Sequence, residues 1–290
     1  MPRIIESLAE ISQGYDALFC DLWGCVHDGV RPFPAAIEAL RAFRAQGGAV
    51  VLMTNAPRLR ASVARHLDKM GLPTDTWDTI ASSGDSARAA MFQGVVGQKV
   101  FFMGEGHDRS FFDPMHLIDD PVEIEVVPLD EAEGIVCCGP FDPHADPAVL
   151  RPELLYAKTK GMKLLCANPD IVVDRGDTRE WCAGAIARLY TEMGGVSLYF
   201  GKPHPPIYDL GRRRLAELGK PVEASRILAV GDGIHTDIQG AQGEDIDSLF
   251  ITGGLAAAET RTDTQPDPEA LEAFVTREMI TPTYAMGFLR

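Results

Sequence analysis

An alternation of short apolar runs with amphipathic stretches is the feature that most constrains the fold of this chain. Ala17–Asp21 and Ala49–Thr54 have the pattern of buried strands, and Pro34–Gln46 between them has apolar residues at helical spacing. Strands separated by helices pair in parallel, because each parallel connection needs a crossover segment. The pattern therefore predicts an α/β fold with a doubly wound, Rossmann-like parallel-sheet core.

The middle of the chain has a different pattern. Several strand-like segments follow one another there with one obvious long helix, Pro147–Lys160, and with Gly, Pro and Asp between them. After about residue 178 the regular alternation of helix and strand resumes. We therefore predict an inserted α+β domain at 83–178, and a discontinuous core domain made of 1–82 and 179–290.

The charge balance excludes some classes of partner. The chain has 27 Lys+Arg and 42 Asp+Glu, for a formal net charge of −15. Binding to nucleic acid or to an anionic membrane needs a basic surface, so we expect neither partner. The sequence has no signal-peptide pattern and no apolar run near the roughly 20 residues of a membrane span, so we expect a cytoplasmic protein. The six cysteines have no zinc-finger spacing, and we interpret them as buried, reduced thiols.

Polar residues follow several of the predicted strands. Asp21 ends the first strand, Thr54 and Asn55 follow the next, and Asp232 follows the apolar run Ile227–Val230. Open parallel sheets place their ligand sites at this edge. Asp21, Asp232 and Asp237 would repel one another there unless a cation lay among them, and carboxylates favour Mg²⁺. A threonine and the lysine of Gly201-Lys202-Pro203 could hold phosphate oxygens beside it.

These motifs together resemble the haloacid dehalogenase-like superfamily. The segments that carry the resemblance are Asp21-Leu22-Trp23-Gly24, Thr54-Asn55, Gly201-Lys202-Pro203 and Val230–Asp237. Their order and spacing are similar to those of class IIA, with its nitrophenylphosphatases and N-acetylglucosamine-phosphatases, in which a C2-type cap is inserted into the core. Asn168-Pro169-Asp170 is similar to a segment near the end of such caps. The resemblance implies a Mg²⁺-dependent phosphatase that acts on a small phosphorylated metabolite, and it also allows a homodimer.

The resemblance assigns roles to individual residues. It implies that Asp21 is the nucleophile of an aspartyl-phosphate route, and that Thr54 and Lys202 bind phosphate. The implied metal ligands are Asp21, Asp232 and the backbone carbonyl of Trp23, with Asp237 holding a metal-bound water or an outer contact. The residues that we expect to contact the substrate are Asn55, Asn168, Asp170 and His27.

One position departs from the family pattern. Trp23 stands where these phosphatases usually have a second aspartate that acts as general acid and base. Loss of a general acid costs about 10²–10⁴-fold in rate for a poor leaving group. We hypothesise that His27 replaces this acid, with local packing as the alternative. Two further interpretations stay open, namely a catalytically weak phospho-ligand-binding or regulatory protein, and cleavage of a C–P or C–halogen bond.

Overall fold

The structure is a computed structural model that describes residues 1–114, 120–175 and 178–290. The strands are β1 (Arg3–Ile4), β2 (Ala17–Asp21), β3 (Ala49–Thr54), β4 (Thr79–Ser82), β5 (Lys99–Met103), β6 (Glu125–Val126), β7 (Gly134–Cys137), β8 (Lys163–Cys166), β9 (Val172–Arg175), β10 (Thr178–Trp181), β11 (Val196–Tyr199), β12 (Ile227–Gly231), β13 (Asp247–Ile251) and β14 (Tyr284–Met286). The helices are α1 (Pro34–Ala45), α2 (Arg60–Met70), α3 (Ser83–Phe92), α4 (Arg151–Thr159), α5 (Ala183–Glu192), α6 (Pro205–Glu217), α7 (Gln239–Gly243) and α8 (Pro268–Glu278).

The chain divides into two compact units. The first unit contains Met1–Thr54, Ala61–Ala81 and Tyr208–Arg290, and the second contains Asn55–Arg60 and Ser82–Ile207. The second unit extends further along the chain than the segment 83–178 that the sequence suggests as an insertion, because β11 pairs with β8 in its sheet. In the described part of the chain, no helix combines the length and the apolar character that a membrane span needs.

A seven-stranded sheet forms the centre of the first unit, in the order β1-β14-β13-β12-β2-β3-β4. The central strand β2 pairs in parallel with β3 on one side and with β12 on the other. In this register Asp21 lies opposite Met53, and Cys20 lies opposite Val230. The carboxyl ends of β2, β3 and β12 therefore meet at one edge of the sheet.

Helices cover both faces of this sheet. Leu18 and Cys20 of β2 belong to a core cluster that includes Leu40 and Phe43 of α1. Phe19 points to the other face, where its ring lies 6.4 Å from the ring of Tyr208 in α6. This alternation confirms the predicted α/β fold with a doubly wound core, since a strand with period-two side chains can be buried on both sides only between two helical layers.

The second unit is built on a five-stranded sheet in the order β11-β8-β7-β5-β6. All of its recorded pairings are parallel, and the antiparallel hairpin of β9 and β10 is separate from it. One core cluster contains Val136 of β7 with Ala87 and Met91 of α3, and another contains Ile135 of β7 with Leu154 of α4 and Ile186 of α5. Successive residues of β7 thus pack on opposite faces of this sheet.

Candidate active site

The carboxyl edge of the first sheet carries three of the predicted site residues. Asp21 is the last residue of β2, Thr54 is the last of β3, and Asp232 follows β12 directly. All three side chains are buried. The strand register explains this arrangement, because parallel strands in register bring the residues at their ends to one edge.

Cys25 lies beside two of these carboxylates. One carboxylate oxygen each of Asp21 and Asp232, and the sulfur of Cys25, all lie within 4.8 Å of one another. We call these three residues the acidic site. Burial, followed by the nearby charges of Asp232 and Asp21, raises the pKa of the Cys25 thiol well above its usual value. The sequence does not single out Cys25, because its neighbours are apolar and resemble those of a core residue.

Two glycines make room for the carboxylate of Asp232. A Cβ atom at Gly24 would lie 2.1 Å from Asp232 Oδ2, and one at Gly254 would lie 2.0 Å from it. The N–H of Leu255 donates a hydrogen bond to the same oxygen at 3.0 Å. Paired oxygen donors held in a cradle of this kind fit a hard divalent cation such as Mg²⁺. Asp21 and Asp232 are the residues that would hold it.

Asp237 supports the turn that follows β12. Its Oδ2 accepts hydrogen bonds from the backbone N–H of Gly233 at 3.1 Å and from the Thr236 hydroxyl at 3.2 Å. It lies in a wide helical turn, Ile234–Ile238, that continues into α7. A Cβ atom at Gly231 would lie 2.1 Å from the Cβ of Asp237, so the carboxylate stem packs directly on the end of β12. Its role as a metal ligand stays a prediction.

Trp23 is part of the loop that follows Asp21, and its side chain contacts other residues of that loop. Its side chain is 40% exposed, and a Cβ atom at Gly29 would lie 2.2 Å from its ring. The imidazole of His27 meets the indole edge-on, with 5.4 Å between the ring centroids. Gly29, which has no side chain, therefore leaves room for the six-membered ring of the indole beside the backbone of the loop.

His27 is a buried residue of this loop, with 2% of its surface exposed. Its Nδ1 accepts a hydrogen bond from the N–H of Gly29 at 3.0 Å. Burial, together with the nearby His66, lowers the pKa of His27 to about 4, below the near-neutral value that the sequence alone suggests. The side chain is therefore neutral at pH 7, with its proton on Nε2.

The predicted phosphate-binding lysine belongs to the second unit, where Asn55 holds its backbone. Asn55 Oδ1 accepts a hydrogen bond from the Lys202 N–H at 2.7 Å, and Asn55 Nδ2 donates to the Lys202 carbonyl at 3.1 Å. The same Nδ2 donates to Asp170 Oδ1 at 2.8 Å. We call Asn55, Asp170 and Lys202 the lysine clamp. Asn55 and Lys202 are both buried, so these hydrogen bonds are shielded from water.

Asn168 shapes the segment that leads into the lysine clamp. Its Oδ1 accepts a hydrogen bond from the N–H of Asp170 at 3.0 Å, which forms an Asx turn across Pro169. The side chain of Asn168 is buried. Direct contact of Asn168, Asp170 or Asn55 with a substrate stays a prediction.

Two family models match this chain. A model described as haloacid dehalogenase-like hydrolase matches residues 18–117, and a model described as HAD-hydrolase-like matches residues 199–274. The first match includes the loop from Asp21 to Gly29 as well as Thr54 and Asn55. The second includes Lys202, Asp232 and Asp237.

Known proteins of similar sequence or structure extend the comparison. A haloacid dehalogenase-like hydrolase from Brucella suis 1330, known as a crystal structure, is 35% identical, with a TM-score of 0.84 and coverage of 99% of this chain and 100% of that chain. D-glycerol 3-phosphate phosphatase from Mycobacterium tuberculosis (strain ATCC 25618 / H37Rv) is 26% identical over 258 residues, which is 87% of this chain and 67% of that protein. The crystal structure of glycerol phosphate phosphatase Rv1692 from Mycobacterium tuberculosis in complex with magnesium is 20% identical, with a TM-score of 0.67 and coverage of 97% and 77%.

Proposed function

Because this chain belongs to the haloacid dehalogenase-like hydrolase family, we propose that it hydrolyses small phosphate esters in a Mg²⁺-dependent reaction through an aspartyl-phosphate on Asp21. One observation carries the proposal. The carboxylates of Asp21 and Asp232 are buried at the ends of adjacent strands with oxygens within 4.8 Å of each other. Two carboxylates so close and so buried repel each other, and a bound divalent cation removes that repulsion.

Two further residues supply the phosphate site in this proposal. Thr54, buried at the end of β3, offers a hydroxyl to a phosphate oxygen, and Lys202 offers a positive charge. Phosphoryl transfer depends mainly on positioning and on charge stabilisation. Asn55 holds the backbone of Lys202 through two hydrogen bonds, so the position from which the lysine side chain extends is fixed. Magnesium, when bound, neutralises charge on the phosphate oxygens.

Trp23 narrows the choice of substrate. An indole cannot give a proton to a leaving alkoxide, and the neutral His27 is a weak replacement because few of its molecules are protonated at pH 7. Aryl and acyl phosphates leave without protonation, whereas alkyl phosphates do not. We therefore propose that the natural substrate is a small molecule with a good leaving group, unlike the alkyl phosphate for which the Mycobacterium tuberculosis relative is named.

The second candidate function is a phospho-ligand binder with weak or no turnover. The observation that favours it is the 40% exposed indole of Trp23, which offers an apolar face two residues from Asp21. Indole faces stack on planar rings. A binder of this kind would use the same cation and the same lysine but would not need Asp21 as a nucleophile.

Hydrolysis of an aryl phosphate and of an alkyl sugar phosphate, each with Mg²⁺ and with chelator, tests the proposal. The matched proteins are wild type, Asp21→Asn and Asp28→Asn, the last being a carboxylate of the same loop that is bonded to the backbone of Val30 and Arg31. We expect Mg²⁺-dependent turnover of the aryl ester that Asp21→Asn lowers by roughly 10⁴-fold or more and that Asp28→Asn retains.

The outcomes separate the candidates. Turnover that survives chelation, or that survives Asp21→Asn, would contradict the proposed route. Turnover of neither ester, combined with Mg²⁺-dependent binding of phosphate, would favour the binder. Equal turnover of both esters would mean that another residue supplies the general acid, and His27→Ala would then be the next variant.

A further inference from the structure

Cys25 is the one member of the acidic site that the phosphatase reaction does not use. Its side chain is 1% exposed, and its sulfur lies within 4.8 Å of carboxylate oxygens on both Asp21 and Asp232. Other buried cysteines, Cys20, Cys137 and Cys166, donate their thiol hydrogens to backbone carbonyls. The Cys25 thiol has no such hydrogen bond to any residue in the described part of the chain, and it faces the carboxylates instead.

A thiol in this position changes which cations the acidic site favours. Mg²⁺ prefers oxygen donors and gains little from sulfur, whereas Zn²⁺ and Cd²⁺ bind thiolates well. A zinc ion lies about 2.3 Å from sulfur and about 2.1 Å from carboxylate oxygen, so donors on one tetrahedral ion are roughly 3.6 Å apart. The three donor atoms, all within 4.8 Å of one another, therefore reach the spacing of a single mixed-ligand site by side-chain movements of about 1 Å.

We propose that the acidic site is a second kind of metal site, in which a thiophilic divalent cation binds Cys25 Sγ together with carboxylate oxygens of Asp21 and Asp232. The inference deepens the proposed function, on whose Mg²⁺ site it rests. When the cation binds, the Cys25 thiol becomes a thiolate and its proton passes to water. No bond of any substrate changes in this step, and no electron is transferred.

In consequence, thiophilic cations should compete with Mg²⁺ for the acidic site. A cation held by sulfur and by both aspartates takes the place of Mg²⁺, and the Cys25 thiolate adds a negative charge beside the nucleophile that repels phosphate. Zn²⁺ or Cd²⁺ should therefore displace Mg²⁺ and stop phosphate hydrolysis, and a thiol competitor in solution should reverse the effect. The site would make the enzyme sensitive to thiophilic metal ions at concentrations far below that of Mg²⁺.

Cobalt absorption tests the inference without depending on turnover. Wild type, Cys25→Ser and Cys138→Ala are titrated with Co²⁺ in the absence of Mg²⁺ under anaerobic conditions. Cys138 is the matched control, because it is buried and free but belongs to the second unit. We expect a near-ultraviolet thiolate-to-cobalt charge-transfer band in wild type and in Cys138→Ala, and none in Cys25→Ser. Calorimetric titration with Zn²⁺ should show that Cys25→Ser binds more than about 10-fold more weakly, since losing even an outer partner of a ligand costs roughly 10–100-fold.

Other results would contradict either the role of Cys25 alone or the proposed metal site as a whole. Cobalt that binds wild type without a charge-transfer band would overturn the inference and leave the proposed Mg²⁺ site standing. A band that persists in Cys25→Ser would also overturn it, because another thiol would be the ligand. No binding of Co²⁺, Zn²⁺ or Mg²⁺ to wild type would overturn the proposed function as well. If Cys25→Ser fails to fold, the wild-type band and Cys25→Ala decide the question.

Discussion

In the first unit the acidic site brings together groups that repel one another, whereas in the second unit the lysine clamp joins groups that complement one another. Asp21 and Asp232 present two buried carboxylates with oxygens within 4.8 Å. Asn55, by contrast, offers an acceptor to the N–H of Lys202 and a donor to its carbonyl, and its donor also meets Asp170. In the proposed function a cation offsets the repulsion in the acidic site, whereas the hydrogen bonds of the lysine clamp are made within the chain.

This difference suggests a division of tasks. We expect the acidic site to respond to the cation or substrate that binds there, and the hydrogen-bonded lysine clamp to keep one geometry. Chemistry and metal choice should therefore be sensitive to substitutions in the acidic site and its loop. Substitutions in the lysine clamp should change the position of the Lys202 ammonium group.

The largest effect should come from returning an acid to the loop beside the acidic site. In Trp23→Asp we expect turnover of an alkyl phosphate to rise by roughly 10²–10⁴-fold, because a carboxylic acid can protonate the leaving alkoxide. Trp23→Asn is the matched control, since it has the same shape and cannot supply the proton. Steady-state kinetics on an aryl and an alkyl ester would measure the change. Equal rates in the two variants would show that a missing acid is not what limits the wild type.

Breaking the lysine clamp should have the next largest effect. Asn55→Ala removes both hydrogen bonds to the backbone of Lys202, and we expect kcat for the aryl ester to fall by about 10²-fold through misplacement of the charge. Asn168→Ala is the control, because Asn168 bonds to Asp170 and not to Lys202. It should raise KM more than it lowers kcat. An unchanged kcat in Asn55→Ala would mean that Lys202 keeps its position without the lysine clamp.

Filling the space around Asp232 should weaken the cation site. The new Cβ of Gly254→Ala would lie 2.0 Å from Asp232 Oδ2, so the carboxylate must move. We expect the affinity for Mg²⁺, measured by isothermal titration calorimetry, to fall by roughly 10–100-fold. Gly243→Ala is the matched control, since its Cβ would meet nothing within 4 Å. If both variants bind Mg²⁺ like wild type, Asp232 is not a ligand held in a fixed position.

The smallest effect concerns pH and His27. The pKa of His27 is lowered to about 4 in the folded protein from 6.5, chiefly by burial, so the unfolded chain binds more protons between these values. Stability should therefore rise with pH through that window and be fully present above it, with a contribution of at most about 1.4 kcal/mol for each pH unit. Urea unfolding of wild type and His27→Gln from pH 4 to 7 would measure this. Parallel curves for the two proteins would contradict the burial argument.

Much of the fold follows from the sequence because its strands are long and apolar. The bounds predicted for the strands Ala17–Asp21 and Ala49–Thr54 agree with the structure, and both end at residues of the candidate site. The helix Ser83–Phe92 is missing from the sequence prediction. All but one of its residues are buried, so its polar residues do not form a solvent-exposed face and its sequence lacks the amphipathic period of a surface helix. The short strands Arg3–Ile4, at the edge of the sheet, and Tyr284–Met286 beside it are also too brief to give a pattern.

Only part of the candidate site can likewise be predicted from the sequence. The carboxylates could be predicted, because Asp21 and Asp232 follow apolar strands whose register brings their ends together. Cys25 could not, since its apolar neighbours look like core and only the course of the loop turns its sulfur toward the carboxylates. The partners of Asn55 lie more than 100 residues away in sequence, so the lysine clamp also depends on tertiary structure.

The exposed indole of Trp23 makes the candidate active site observable by tryptophan fluorescence. The chain has three tryptophans, and the other two are Trp77 and Trp181. In a protein carrying Trp77→Phe and Trp181→Phe, all indole fluorescence would come from a ring two residues from Asp21. The arrival of a cation or a phosphate would then change the colour or intensity of that emission directly, so a library of unlabelled compounds could be screened for ligands before any reaction is known.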